Sequence, residues 1–199
     1  FYSKTIPEIE HLNTYVVDDA SRIQSKKINI VDCLPESAFA EPGTATPIAA
    51  QDAITCLSRA VEDIKAKKID VLVTGQGFKF PGHTEFLQNA FGVKDVTMLM
   101  VSNRIKLGVV TGHIPLKDVP AQITKEHILS KLRLMKQSLI EDFSLQDPII
   151  GVLSLNPHSG DGGFLGTEEQ EIIIPAIKEA NEEGIRVFGP FSPDGYFGL

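Results

Sequence analysis

Strand-like and helix-like runs alternate along the chain. Over residues 48–67, Ala49, Ala53, Leu57, Ala60, Val61 and Ile64 recur at spacings of three and four, which predicts a helix with one apolar face. A second long helix is predicted over residues 124–143, with Ile128, Leu132, Met135 and Leu139 on its stripe. A short helix is expected to start near His83 and end at Gly92. Thr167 and Gln170, three apart, have the pattern of a capping box opening a helix that ends near Gly184.

Strands fall between these helices. Residues 27–34 read as a short strand, and the β-branched run 69–74 as a buried parallel one. Residues 148–155 and 185–191 are two more. Residues 95–102 and 105–112 are separated by Asn103 and Arg104 alone, which predicts a tight antiparallel hairpin. Pro35, Pro42, Gly43 and Pro47 mark a loop. The alternation predicts an α/β fold with a mostly parallel sheet. No internal repeat or low-complexity tract interrupts it.

Composition narrows the class. Of 199 residues, 42% are hydrophobic and 23% charged, as in ordinary globular proteins. No apolar run approaches the ~20 residues of a membrane span. A net charge of −7 argues against a nucleic-acid surface, which carries a basic stripe. An anionic substrate would need a local cluster of donors acting against that charge. Cys33 and Cys56 form neither a metal-type pair nor a disulfide framework, so a reducing cytoplasm is the simplest location. The first ten residues, FYSKTIPEIE, show no secretory signal. They begin with Phe1 and not Met, so residues are expected to precede them.

Three histidines sit where a predicted strand or turn gives way to a loop, the usual place for chemistry in α/β proteins. His158 follows Asn156 and Pro157 and precedes a glycine-rich run, Ser159 to Gly163. His113 follows Gly112 and precedes Ile114 and Pro115. Taken singly, each is as readily a histidine in a surface turn as a ligand. Together, imidazoles leaving neighbouring strand ends suit a divalent transition metal. A catalytic zinc takes three protein ligands, so a third is needed. His127, with Lys125 and Lys131 near it, reads as part of a solvated helix face, and His11 lies in a poorly patterned segment. His83 and Thr84 stand at a predicted helix start, where free N–H groups and the positive end of the dipole favour an anion. Thr84 has a second reading as a helix cap, and Lys79 is a further source of charge. The chain has no dinucleotide-binding GxGxxG, no P-loop and no GxSxG.

PGHTEF, TGHIPL and LNPHSGDGGFLGTEE, in this order and spacing, resemble the 4-hydroxythreonine-4-phosphate dehydrogenase family of pyridoxal phosphate biosynthesis. The likeness runs from about Ile48 onward and is loose before it. The resemblance implies a three-layer α/β/α fold similar to isocitrate and isopropylmalate dehydrogenases. It also implies a homodimer whose partner helps to close the active site. The implied activity is NAD-dependent oxidation of 4-phosphooxy-L-threonine, followed by decarboxylation to 3-amino-2-oxopropyl phosphate. By motif match, His83 and Thr84 fall on substrate-contacting positions. His113 and His158 fall on two of three ligands to a divalent metal (zinc, magnesium or cobalt), the third coming from the partner.

The match also has departures. Family members are longer, which makes these residues the central portion of such a protein, with no internal domain boundary legible. A glycine- and proline-rich amino-terminal motif and a Pro-x-x-Lys loop after Thr74 are absent. The remaining histidine and much of the cofactor site are expected beyond residue 199. Two alternatives stay open: a relative acting on a four-carbon sugar-acid 4-phosphate, and a non-catalytic α/β binding module.

Overall fold

The computed structural model describes residues 12–35, 44, 46–74 and 82–198. His11, Lys79 and the segment after Thr74 lie outside them, as does most of the proline-marked loop. The chain divides into two compact units, Phe1–Gly92 and Val93–Leu199. Helices and parallel strands make this an α/β protein, as the alternation of helix-like and strand-like runs predicts.

In the first unit, β1 (Thr14–Val17) and β2 (Ile28–Val31) pair in parallel. Helix α1 (Pro47–Lys65) begins at Thr46, whose side chain accepts the Ala49 N–H, with Pro47 at the first helical position. Helix α2 (His83–Phe91) ends at Gly92, which takes the left-handed conformation that closes a helix. Leu57 and Val61 of α1 and Phe86 of α2 form the buried core, with Leu72, Leu87 and Ala90 against it. Charge ties the helix to the end of β1. Asp19 accepts from Lys68 at 2.6 Å and Arg59 at 3.2 Å, and Arg59 also reaches the buried Asp63 at 3.1 Å. The Lys68 hydrogen bond, helped by Ser21, holds the Asp19 carboxyl well below the usual carboxylate range.

One expectation changes here. Residues 69–74 form no strand with any described residue, and Val71 and Val73 are 75% and 91% exposed. Leu72 packs partly buried against the core, and no residue of 69–74 is fully buried. Cys33 and Cys56 remain free thiols, with their sulfurs 3.7 Å apart. Desolvation and the neighbouring Cys33 push the Cys56 thiol up, which keeps it protonated at neutral pH.

The second unit opens with the predicted hairpin, β3 (Leu99–Val101) antiparallel to β4 (Lys106–Gly108). Both strands are shorter than expected, although single hydrogen bonds, Ser102 N–H to the Ile105 carbonyl and Val109 N–H to the Met98 carbonyl, flank the paired residues. A short helix α3 (Val119–Gln122) precedes α4 (Lys125–Glu141), which Thr124 caps by accepting the His127 N–H. β5 (Ile150–Leu153) pairs in parallel with β6 (Val187–Phe191), and α5 (Ile174–Glu182) connects them. The last helix is α6 (Pro193–Tyr196).

The core lies between α4, α5 and the β5–β6 pair. It is built from Ile128, Leu129 and Leu132 of α4, Ile150, Val187, and the fully buried Ala176 and Ala180 of α5. The two alanines lie one turn apart, and their small size lets the α5 backbone approach its neighbours closely. Asn181 fixes the α5-to-β6 connection: its amide donates to the Ile177 and Val187 carbonyls and accepts the Val187 N–H. These contacts hold β5 and the loop that leaves it. Leu129 is 2% exposed, so Leu129→Ala should lower unfolding stability by about 2–5 kcal/mol, read from urea denaturation followed by circular dichroism.

Candidate metal and substrate site

The chain leaves β5 through Ser154, Leu155 and Asn156 and enters a turn of unusual hand. His158, Ser159, Gly160, Asp161 and Gly162 have φ of 52, 54, 79, 44 and 64°. Five successive left-handed residues are rare, because each non-glycine brings its Cβ against the following carbonyl at a cost of roughly 1–2 kcal/mol. Three of the five carry a Cβ, so neighbouring contacts must hold the turn. The result is an exposed imidazole at position 158, carried on a short turn and not on the strand tip itself.

Glu169 is the group in contact with this turn from within. It is 1% exposed. One carboxylate oxygen accepts the Leu155 and Asn156 backbone N–H groups, both at 2.8 Å, and the other accepts the Asn156 side-chain amide at 3.0 Å. Burial works against its charge, but these N–H donors prevail and hold the carboxyl below its ordinary range. A Cβ on Gly160 would stand 2.8 Å from this carboxylate and 2.8 Å from the Gly166 carbonyl, so only glycine fits there. Glu169 opens a π-helical turn, Glu169–Ile173, that runs into α5. Such turns recur at functional sites. The expected capping box does not form. The position before this turn is Glu168, without a side-chain cap, and Thr167 contributes its carbonyl to the Gln170 and Glu171 N–H groups.

His158 borders an open groove of about 360 Å³ with Leu155, Asn156, Pro157, Pro193 and Asp194. Ser192 donates a hydrogen bond to Asp194, which lowers that carboxyl below its usual range, and nearby His158 acts in the same direction. Neither Glu169 nor Asp194 is marked by spacing in the sequence. In the sequence Glu169 stands between Thr167 and Gln170, the two positions that the capping-box pattern marks.

His113 belongs to the same unit. It is exposed and sits in a three-residue turn closed by the Ile114 N–H on the Gly112 carbonyl at 2.9 Å. β4 ends at Gly108, so this imidazole too stands beyond its strand. Among the described residues, no three His, Cys, Asp or Glu side chains gather as a metal site. The imidazoles His113 and His158 suit a divalent transition ion by donor type, and they are one short of the three ligands a catalytic zinc takes. His127 is half-buried, with its Nδ1 3.1 Å from the Gln122 carbonyl.

His83 and Thr84 lie in the other unit, in the first turn of α2. Gly82 holds the cap position with no side-chain hydrogen bond, so the reading of Thr84 as the cap does not hold. The His83 Nε2 is 3.1 Å from the Thr74 hydroxyl.

Residues 2–199 match the family model described as "Pyridoxal phosphate biosynthetic protein PdxA". The chain belongs to this family. The match extends the likeness from Ile48 almost to the first residue. A curated relative, 4-hydroxythreonine-4-phosphate dehydrogenase of Bacteroides thetaiotaomicron, is 40% identical over 94% of this chain and 54% of its own. The enzyme of that name from Burkholderia phymatum is 30% identical, with a TM-score of 0.72 over 94% of this chain and 60% of its own. That from Klebsiella pneumoniae shares the fold at a TM-score of 0.81 and 24% identity, over the same shares. The chain therefore spans a little over half the length of these relatives.

Acidification tests the Glu169 contacts. A carboxyl held below its ordinary value of 4.5 contributes stability that is complete above that value and is lost as pH falls through the folded-state value. Protection of the Leu155 and Asn156 amides against hydrogen exchange, corrected for intrinsic rate, should hold from pH 7 to about 5 and fall steadily below about 4.5. The Asn156 side-chain amide also donates to Glu168 at 2.7 Å.

Proposed function

We propose that this chain forms part of a 4-hydroxythreonine-4-phosphate dehydrogenase. In this reading the enzyme oxidises the secondary alcohol of 4-phosphooxy-L-threonine with NAD. The resulting β-keto acid loses carbon dioxide to give 3-amino-2-oxopropyl phosphate, a step toward vitamin B6. The observation that carries the reading is the His158 turn. Its left-handed backbone and buried carboxylate present an imidazole to an open groove, within a chain that matches the family over nearly its whole length.

His113 and His158 would hold the divalent ion, with a third histidine supplied by the partner of a homodimer. A bound divalent ion supplies Lewis-acid stabilisation of negative charge on the substrate oxygen. The rest of the task falls to the chain. The glycines after His158 let the backbone lie close to a ligand, and the turn holds the imidazole in the groove. Asp194, kept ionised on the groove wall, balances positive charge near His158. His83 and Thr84, in the first turn of α2 at the positive end of its dipole, would contact an anionic part of the substrate. No described helix is long and apolar enough to cross a membrane, and the reading places the enzyme in the cytoplasm.

In the complete gene product, His113→Ala and His158→Ala should each lower bound divalent metal and turnover, by roughly 100-fold or more. Normal metal content and normal rates in both would remove this reading in favour of a non-catalytic binding module. Side-by-side kinetics on 4-phosphooxy-L-threonine and a four-carbon sugar-acid 4-phosphate decide the substrate. The expected result is a higher kcat/KM for the phosphothreonine.

A further inference from the structure

We infer that Glu169 is a positioning residue for His158: its buried carboxylate fixes the hand of the turn and so the place of the imidazole. The inference rests on the reading of His158 as a metal ligand. It adds a residue that touches neither metal nor substrate and acts through the backbone.

Four observations converge on it. Glu169 is a charged residue buried to 1% exposure, as deeply as the apolar core around it. A carboxylate in that position needs donors, and those it finds are the N–H groups of Leu155 and Asn156, the two residues through which the chain leaves β5. The same carboxylate meets Gly160, in the middle of the left-handed run, from the other side. Its contacts therefore bracket His158, at two and three residues before it and two after it. Finally, Glu169 is the first residue of the π-helical turn Glu169–Ile173, and it is buried at a helix start, where a carboxylate ordinarily faces solvent.

The alternative role is simple packing, in which Glu169 only fills space at the start of α5. The two roles differ in what they require of a replacement. Glutamine keeps an oxygen that can accept both backbone N–H groups. Methionine keeps the length and volume but accepts almost nothing. If Glu169 acts as an acceptor, Glu169→Gln retains the turn and Glu169→Met loses it. If it acts as filler, both are tolerated.

The test uses the complete gene product and zinc ion alone as the probe. Zinc affinity is measured by competition with a chromophoric chelator. Hydrogen–deuterium exchange over residues 155–163 is followed by mass spectrometry, and thermal unfolding serves as the folding control. The expected result for Glu169→Gln is zinc affinity within about threefold of the parent and near-parent protection, since the amide oxygen has two lone pairs for the two backbone N–H groups. Glu169→Met should lose roughly tenfold or more in affinity, together with protection over 155–163. Should Glu169→Met fail to fold, Gly160→Ala probes the same contact from the opposite side and should lower zinc affinity without removing the carboxylate. Parent-like affinity and protection in Glu169→Met, or in Gly160→Ala where it substitutes, overturns the inference. So does loss of protection with zinc affinity unchanged, provided His158→Ala abolishes zinc binding. Zinc binding that survives His158→Ala instead sinks the ligand reading, and with it a positioning role toward metal.

Discussion

A buried carboxylate must be satisfied or neutralised, and in this protein Glu169 is satisfied by the backbone that leaves a strand. Two N–H groups and one side-chain amide converge on it at hydrogen-bond distance. That arrangement constrains both partners at once. The carboxylate cannot move without exposing buried donors, and the strand exit cannot relax without stranding a buried charge. The left-handed turn that follows depends on this mutual restraint, because three of its residues would otherwise prefer another conformation.

The second unit is arranged so that this restraint has a firm base. α4 packs its apolar stripe over β5 and β6, and the buried alanines of α5 keep that helix close. Asn181 locks the far end of α5 to the first residue of β6, while Glu169 locks the near end to the residues after β5. The parallel pair and its connecting helix are thus tied at both ends by polar side chains that bond backbone. A groove lined by the His158 turn and the residues after β6 forms where the two strands end. Open parallel sheets place ligands at the carboxyl ends of strands for this topological reason.

The first unit is tied differently. Its apolar core is small, and a network of Asp19, Arg59, Asp63 and Lys68 links the end of β1 to α1. Exposed pairs of this kind are worth little singly. Here Asp63 is buried, so its partner Arg59 also relieves the cost of that burial. The first turn of α2, with His83 and Thr84, rests on this unit through Phe86.

The sequence by itself determined the class, the elements and the histidines. The 3.6-residue period set α1 and α4, because burying one face of a helix needs only a local repeat, and apolar runs and a two-residue gap marked the strands and the hairpin. The three motifs named the family, because glycine, proline and histidine in fixed order are rare by chance. Tertiary structure decided the rest. Whether residues 69–74 are covered on one face or two depends on neighbours that no local pattern encodes. The cysteine sulfurs meet across twenty-three residues, a separation with no periodic signature. The part played by Glu169 was hidden for the same reason. An acidic residue at a helix start is ordinarily solvated, and only the packed backbone around it shows that this one points inward.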